Sequence, residues 1–216
     1  MFITFDGIDG AGKSSQIAVL KDRLQHLTPS TQITLVRDPG STAAGEAIRG
    51  LLLDSNLQMH RRCEALLYMA ARAQLCEERI RPALAAGQHV ISDRFLLANV
   101  VYQSAGGGED PEVLWRLGEI AIGGLRPDLT ILLDLPVEIA VARIRRRTDR
   151  IESRGEDYFR LVREGFLQHV PRAGRAYSII DANQSQEEVS AQIWSVLTDQ
   201  IGISSDPFKP SDPFKP

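Results

Sequence analysis

Residues 7–14 read Gly-Ile-Asp-Gly-Ala-Gly-Lys-Ser, and glycines at this spacing ahead of a lysine and a hydroxyl suit the holding of phosphate oxygens. Glycines let the backbone curl until successive N–H groups point inward. Gly7, Ile8, Asp9, Gly10, Ala11 and Gly12 would form the cradle, and Lys13, Ser14 and Ser15 would open the helix behind it. That helix end adds partial positive charge. Lys13 then reaches the β- and γ-phosphates of a nucleotide, and Ser14 offers its hydroxyl to Mg2+. Asp9 is out of character, because a carboxylate in an anion site is costly unless it faces a hydroxyl, a cation or a metal-bound water. It implies a second ligand beside the nucleotide.

A second cationic cluster lies far from the cradle. Residues 143–154 hold six arginines against two acids, although the whole chain carries a net charge of -3. The run follows a strand and its helix and precedes a restart at Ser153-Arg154-Gly155, which suits a lid folding over the nucleotide. Lids exclude water that would compete for the γ-phosphoryl group, and arginines stabilise its charge in transfer. A GTPase needs an N-K-x-D guanine reader, which the sequence lacks. A small-molecule kinase is the expectation.

Five short apolar runs, 2–6, 32–37, 88–93, 128–134 and 177–181, read as strands. Helical spacing covers 13–27, 42–53, 58–86, 95–104, 111–123, 136–147, 155–170 and 185–201. Pro111 and Pro136 lie near helix starts, Gly87 and Gly124 mark ends, and Pro82 should bend the long 58–86 helix near its last turn. The alternation predicts an α/β chain: a P-loop NTPase fold with a five-stranded parallel sheet flanked by helices on both faces. Residues 1–202 would form one kinase domain with a lid at about 144–156, followed by a disordered tail, 203–216, containing SDPFKP twice.

With 216 residues, 43% hydrophobic and 25% charged, the composition is that of an ordinary globular domain. It argues against a nucleic-acid polymer as partner. No apolar run reaches the ~20 residues of a membrane span, so the expectation is a cytoplasmic protein with no membrane partner. Cys63 and Cys76 have no metal spacing and read as reduced structural thiols.

With the cradle, the basic run, Arg37-Asp38-Pro39-Gly40-Ser41, Ser92-Asp93-Arg94-Phe95 and Tyr102-Gln103-Ser104-Ala105-Gly106 in view, the sequence resembles the thymidylate kinases from Phe2 to about residue 200. The resemblance implies a nucleoside monophosphate kinase with ATP and Mg2+ as cofactors, dTMP as acceptor, dTDP and ADP as products feeding dTTP synthesis, and a homodimer. It departs from the family's T-R-E-P-G-G-T at Asp38 and Ser41. It implies that Arg94 grips the acceptor phosphate, Asp93 works near Mg2+ or the phosphates, Tyr68 stacks on thymine and Arg72 donates to a ring carbonyl. Tyr68 and Arg72 stand four apart, on one helical face. Asn99 would meet the base edge, Tyr102 would lie against the sugar, and Gln103, Pro39 and Arg49 would complete the dTMP site. Glu152 fits an acidic lid position. Gly10 in the cradle with a basic lid matches the bacterial arrangement, in which Arg147 and Arg150 would reach the phosphates and Arg143 would stack on adenine.

The acceptor is then a phosphate monoester, largely dianionic at neutral pH because its second pKa is about 6. It needs no general base, and His26, His60, His89 and His169 read as surface or structural residues. Two alternatives differ in one feature each. A deoxynucleoside kinase would use Asp38 as base, and a non-catalytic nucleotide-binding module would have no reason to carry Tyr68, Arg72, Arg94 and Asn99 together.

Overall fold

A computed structural model describes residues 1–144 and 155–201. Arg147, Arg150, Glu152 and the 203–216 tail lie outside the described residues. The elements run β1 (Phe2–Asp6), α1 (Lys13–Leu27), β2 (Ile33–Arg37), α2 (Ala43–Leu53) and α3 (Arg61–Leu75). A π-helical turn (Cys76–Ile80) joins α3 to α4 (Arg81–Ala85), and β3 (His89–Asp93), α5 (Leu96–Ser104) and α6 (Pro111–Ile122) follow. The chain continues through β4 (Leu129–Asp134), α7 (Val137–Ile144), α8 (Glu156–His169), β5 (Ala176–Asp181) and α9 (Gln186–Ile201).

All five strands are parallel, in the order β2-β3-β1-β4-β5. The central strand β1 is buried along its whole length, as the unbroken apolar run of a strand covered on both faces requires. The chain leaves β1 for the edge strand β2, returns to β3 beside β1, then crosses to β4 on the other side. Connections therefore run in opposite directions about β1, and a crevice opens at the carboxyl ends of the strands. Helix α1 packs with α9, while α3, α5, α6 and α8 form a second group. Phe2 and Phe95 meet edge to face at 5.1 Å in the core.

The helix boundaries have local causes. Thr42 caps α2 by accepting from the Gly45 amide at 2.9 Å, and Asp110 caps α6 by accepting from Glu112 at 2.8 Å. The long helix expected over 58–86 begins instead at Arg61, because His60 turns out of the helix and caps it with Nδ1. Pro82 acts one turn earlier than expected. It cannot donate to the carbonyl of residue 78 and its ring crowds that carbonyl, and the wide turn Cys76–Ile80 stands where that crowding falls. Helix α6 ends one residue early, with Gly123 left-handed at φ 53°. Cys63 is exposed and Cys76 buried, both as free thiols.

Candidate active site

The cradle follows β1 directly. Gly7 stands at φ 135°, and a Cβ there would lie 2.5 Å from the Leu133 carbonyl oxygen, so only glycine lets the chain leave the sheet at this point. Gly12, at φ 90°, turns the loop into α1, whose first amides face the crevice end of the sheet without a side-chain cap. Lys13 is buried, and its Nζ donates to the carbonyls of Gly7 at 3.0 Å and Ile8 at 2.9 Å. Burial, with Arg94 nearby, lowers the Lys13 pKa to about 8. Gly7, Ile8 and Ala11 shape the loop from beneath and do not line the pocket.

Arg94 immediately follows β3. The strand ends at Asp93, and Arg94 takes φ 68°, a left-handed conformation costing a side-chain-bearing residue on the order of 1–3 kcal/mol. Its amide donates to Phe5 at 2.9 Å, and its carbonyl accepts from the Ser92 hydroxyl at 2.6 Å. The guanidinium thereby reaches the cradle, where Nη1 donates to the Gly7 carbonyl at 3.2 Å and Nη2 to Asp9 Oδ1 at 2.7 Å. Tyr102 completes the group by donating to Asp9 Oδ2 at 3.3 Å. Burial alone would raise the Asp9 carboxyl, but Arg94 and Lys13 outweigh it and hold the pKa below its usual value. Asp9 thus faces a cation and a hydroxyl, as its place in an anion cradle demanded.

A cavity of about 440 Å³ joins this group to the residues assigned to the base. Asp9, Gly10, Gly12, Lys13, Ser14 and Ser15 line its cradle end. Pro39, Arg49, Tyr68, Arg72, Asn99 and Gln103 line the other, with Asp93, Arg94 and Tyr102 between. Tyr68 is half-buried, and burial pushes its phenol up to about 12, leaving a neutral ring against the pocket. Gln103 is fixed by donating to Glu64 at 2.9 Å, and Arg49 donates to the Pro39 carbonyl at 3.2 Å. Arg143 touches the outer rim, donating to the Gly10 carbonyl at 3.3 Å.

Arg72 is 1% exposed and already engaged. Its Nε donates to Asp38 Oδ2 at 2.6 Å, and its Nη1 donates to Asn99 Oδ1 at 3.1 Å. Sequence reasoning placed Arg72 and Asn99 in the acceptor site and read Asp38 only as a departure in the loop after β2, without finding that the three bind each other. The Asn99 amide nitrogen and the second Asp38 oxygen are buried with no partner among the described residues. Ser41 adopts φ 64°, a conformation better suited to the family's glycine, and its hydroxyl accepts from the Arg37 amide at 2.8 Å. A glycine at this position could not accept that bond.

Ser14 Oγ and Asp93 Oδ2 approach to 3.4 Å, and Asp93 Oδ1 is buried without a partner among the described residues. One hydroxyl and one carboxylate suit Mg2+, which takes oxygen ligands and relies on phosphates and waters for the rest. Asp6, missed in the sequence, ends β1 with both carboxylate oxygens buried and unpartnered among the described residues. Burial pushes its pKa up to about 6, against the pull of Arg94 and Lys13. The only signal for it was an acid closing an apolar strand.

A family model described as thymidylate kinase matches residues 5–193. The chain is 54% identical over 194 residues to the thymidylate kinase of Rhodopirellula baltica, covering 90% of this chain and 78% of that relative. It is 45% identical over 197 residues to that of Desulforudis audaxviator, covering 90% and 89%. Among solved structures, the crystal structure of thymidylate kinase from Ehrlichia chaffeensis superposes with a TM-score of 0.74 at 27% identity, covering 91% of this chain and 98% of that one.

Proposed function

The chain belongs to the thymidylate kinase family, and we propose that the cavity between the cradle and Tyr68 is where it joins the γ-phosphate of ATP to dTMP. It is a nucleoside monophosphate kinase that uses ATP to convert dTMP to dTDP. The observation that carries the site assignment is Arg94. One guanidinium bonds the donor cradle at Gly7 and Asp9 and lines the cavity that Tyr68 and Asn99 share.

In this reading Lys13 gives up its two carbonyl partners for the β- and γ-phosphates, and the amides at the start of α1 take the remaining oxygens. Arg94, with its planar fork, takes the acceptor phosphate. Two unit charges ~4 Å apart in a dielectric near 20 repel by ~4 kcal/mol, so holding both phosphates in line needs the cations around them. Ser14 and Asp93 would hold Mg2+, which when bound neutralises charge on the β- and γ-phosphates. Arg147 and Arg150 would add lid charge, and Arg143 would lie over adenine. Tyr68 stacks on thymine, Asn99 turns its free amide donor to the base edge, and Arg72 supports both while Tyr102, Gln103, Pro39 and Arg49 bound the sugar and phosphate. The acceptor dianion attacks without a base. Asp38, which a deoxynucleoside kinase would need as that base, is 3% exposed and tied to Arg72.

No helix among the described residues is long and apolar enough to cross a membrane, and the assignment to the cytoplasm, where ATP and free thiols both belong, is part of the proposal. So is a homodimer through the α3 side of the molecule, where Leu66 and Ile120 are exposed at 48% and 79%.

The test is ADP release across dTMP, dUMP, AMP and thymidine. We expect dTMP to give the highest kcat/KM and thymidine to be inert; turnover of thymidine without dTMP would overturn the reading.

A further inference from the structure

The last turn of α5 carries Tyr102 and then stops at Ser104, so its carbonyls need partners from outside the helix. Those of Val101, Gln103 and Ser104 accept from the amides of Ala105, Glu109 and Gly108. The Tyr102 carbonyl accepts instead from the hydroxyl of Tyr158, at 2.9 Å and buried. Tyr158 sits in the first turn of α8, three residues after the left-handed Gly155 that opens this helix at φ 84°. The same helix holds the Tyr102 ring, since Phe166 meets it edge to face at 5.8 Å. From the opposite side Arg61 donates to the carbonyls of Ala105 at 3.3 Å and Gly106 at 3.1 Å.

Tyr102 is therefore fixed at three points. Its carbonyl and ring are held by α8, and its hydroxyl lies between Asp9 and Arg94, with the Arg94 guanidinium 5.0 Å from its ring. We propose that Tyr158 is a positioning residue for the acceptor site. Its hydroxyl sets the height of the last turn of α5, and with it the placing of Tyr102 against Arg94 and Asp9. Tyr158 touches neither nucleotide in this account, which rests on the reading that dTMP occupies the cavity. The tie also makes the start of α8 and the acceptor wall one unit.

Tyr158→Phe removes the bond and keeps the ring, including its packing against Gly106, where an added Cβ would lie 3.4 Å from the tyrosine edge. A net hydrogen bond is worth roughly a 2- to 12-fold change in an equilibrium. We expect the KM for dTMP to rise about fivefold within that range, with kcat and the KM for ATP little changed. Exchange of the Ala105 and Gly106 amides should quicken in the same variant without any nucleotide. A merely structural role would lower the melting temperature and leave both KM values alone, and that result overturns the proposal. So does a parallel rise of both KM values. If the wild-type protein fails to phosphorylate dTMP while the exchange rates still respond, the site reading falls and the acceptor role with it.

Discussion

Within the cradle, Lys13 is the residue whose charge state the fold alters most directly. Its pKa of about 8 follows first from burial and then from Arg94, so the free protein holds the cation below that pH and loses it above. A phosphate ligand needs the cation. The kcat/KM for ATP, which reports the free enzyme, should hold steady from neutrality to about pH 8 and then fall tenfold per pH unit. A profile level to pH 9.5 would return Lys13 to its ordinary value. The groups of the cradle were legible because their chemistry is contiguous in sequence, from Gly7 to Ser14. Arg94 could be put forward from the sequence as a phosphate ligand, but its geometry could not, since nothing in Asp93-Arg94-Phe95 announces a left-handed arginine.

Between elements, the Asp38–Arg72 pair joins the loop after β2 to α3 and, through Asn99, to α5. Both side chains are almost wholly buried, at 0% and 1% exposure. Removing one partner of such a pair strands the other charge and costs about 3–5 kcal/mol. Asp38→Ala should lose that much in denaturant unfolding, and adding Arg72→Met should restore much of it. If the double variant is no more stable than the single, the stranded charge is not the cause. The pair spans 34 positions, and the Tyr158–Tyr102 bond 56. Periodicity gave the strands and helices these residues sit on, to within a few positions, because burial of one face is a local property of the chain. Which polar groups meet across elements depends on packing angles that no local pattern carries. The π turn before Pro82 was half legible: proline announces a defect, but not which turn absorbs it.

Across the whole molecule, α3 packs between α2 and α6, and each carries an exposed large apolar side chain: Leu51 on α2, Leu66 on α3 and Ile120 on α6. A homodimer through these helices should give a light-scattering mass of about twice 23.9 kDa. Leu66→Arg should halve it, since a charge in an apolar interface core strongly disfavours association. A wild-type mass near that of one chain would dismiss the dimer. The assembly is the least legible level, because an apolar residue facing outward reads in sequence like one facing in. At the same scale, β1 bonds to strands on both sides and hands its last residue directly to the phosphate loop. Whatever heat or denaturant frees that loop must first part the middle of the sheet. Outlying helices can fray while the anchor of the loop stays intact, and under the proposed site ATP binding should be lost together with the folded chain, as a single event.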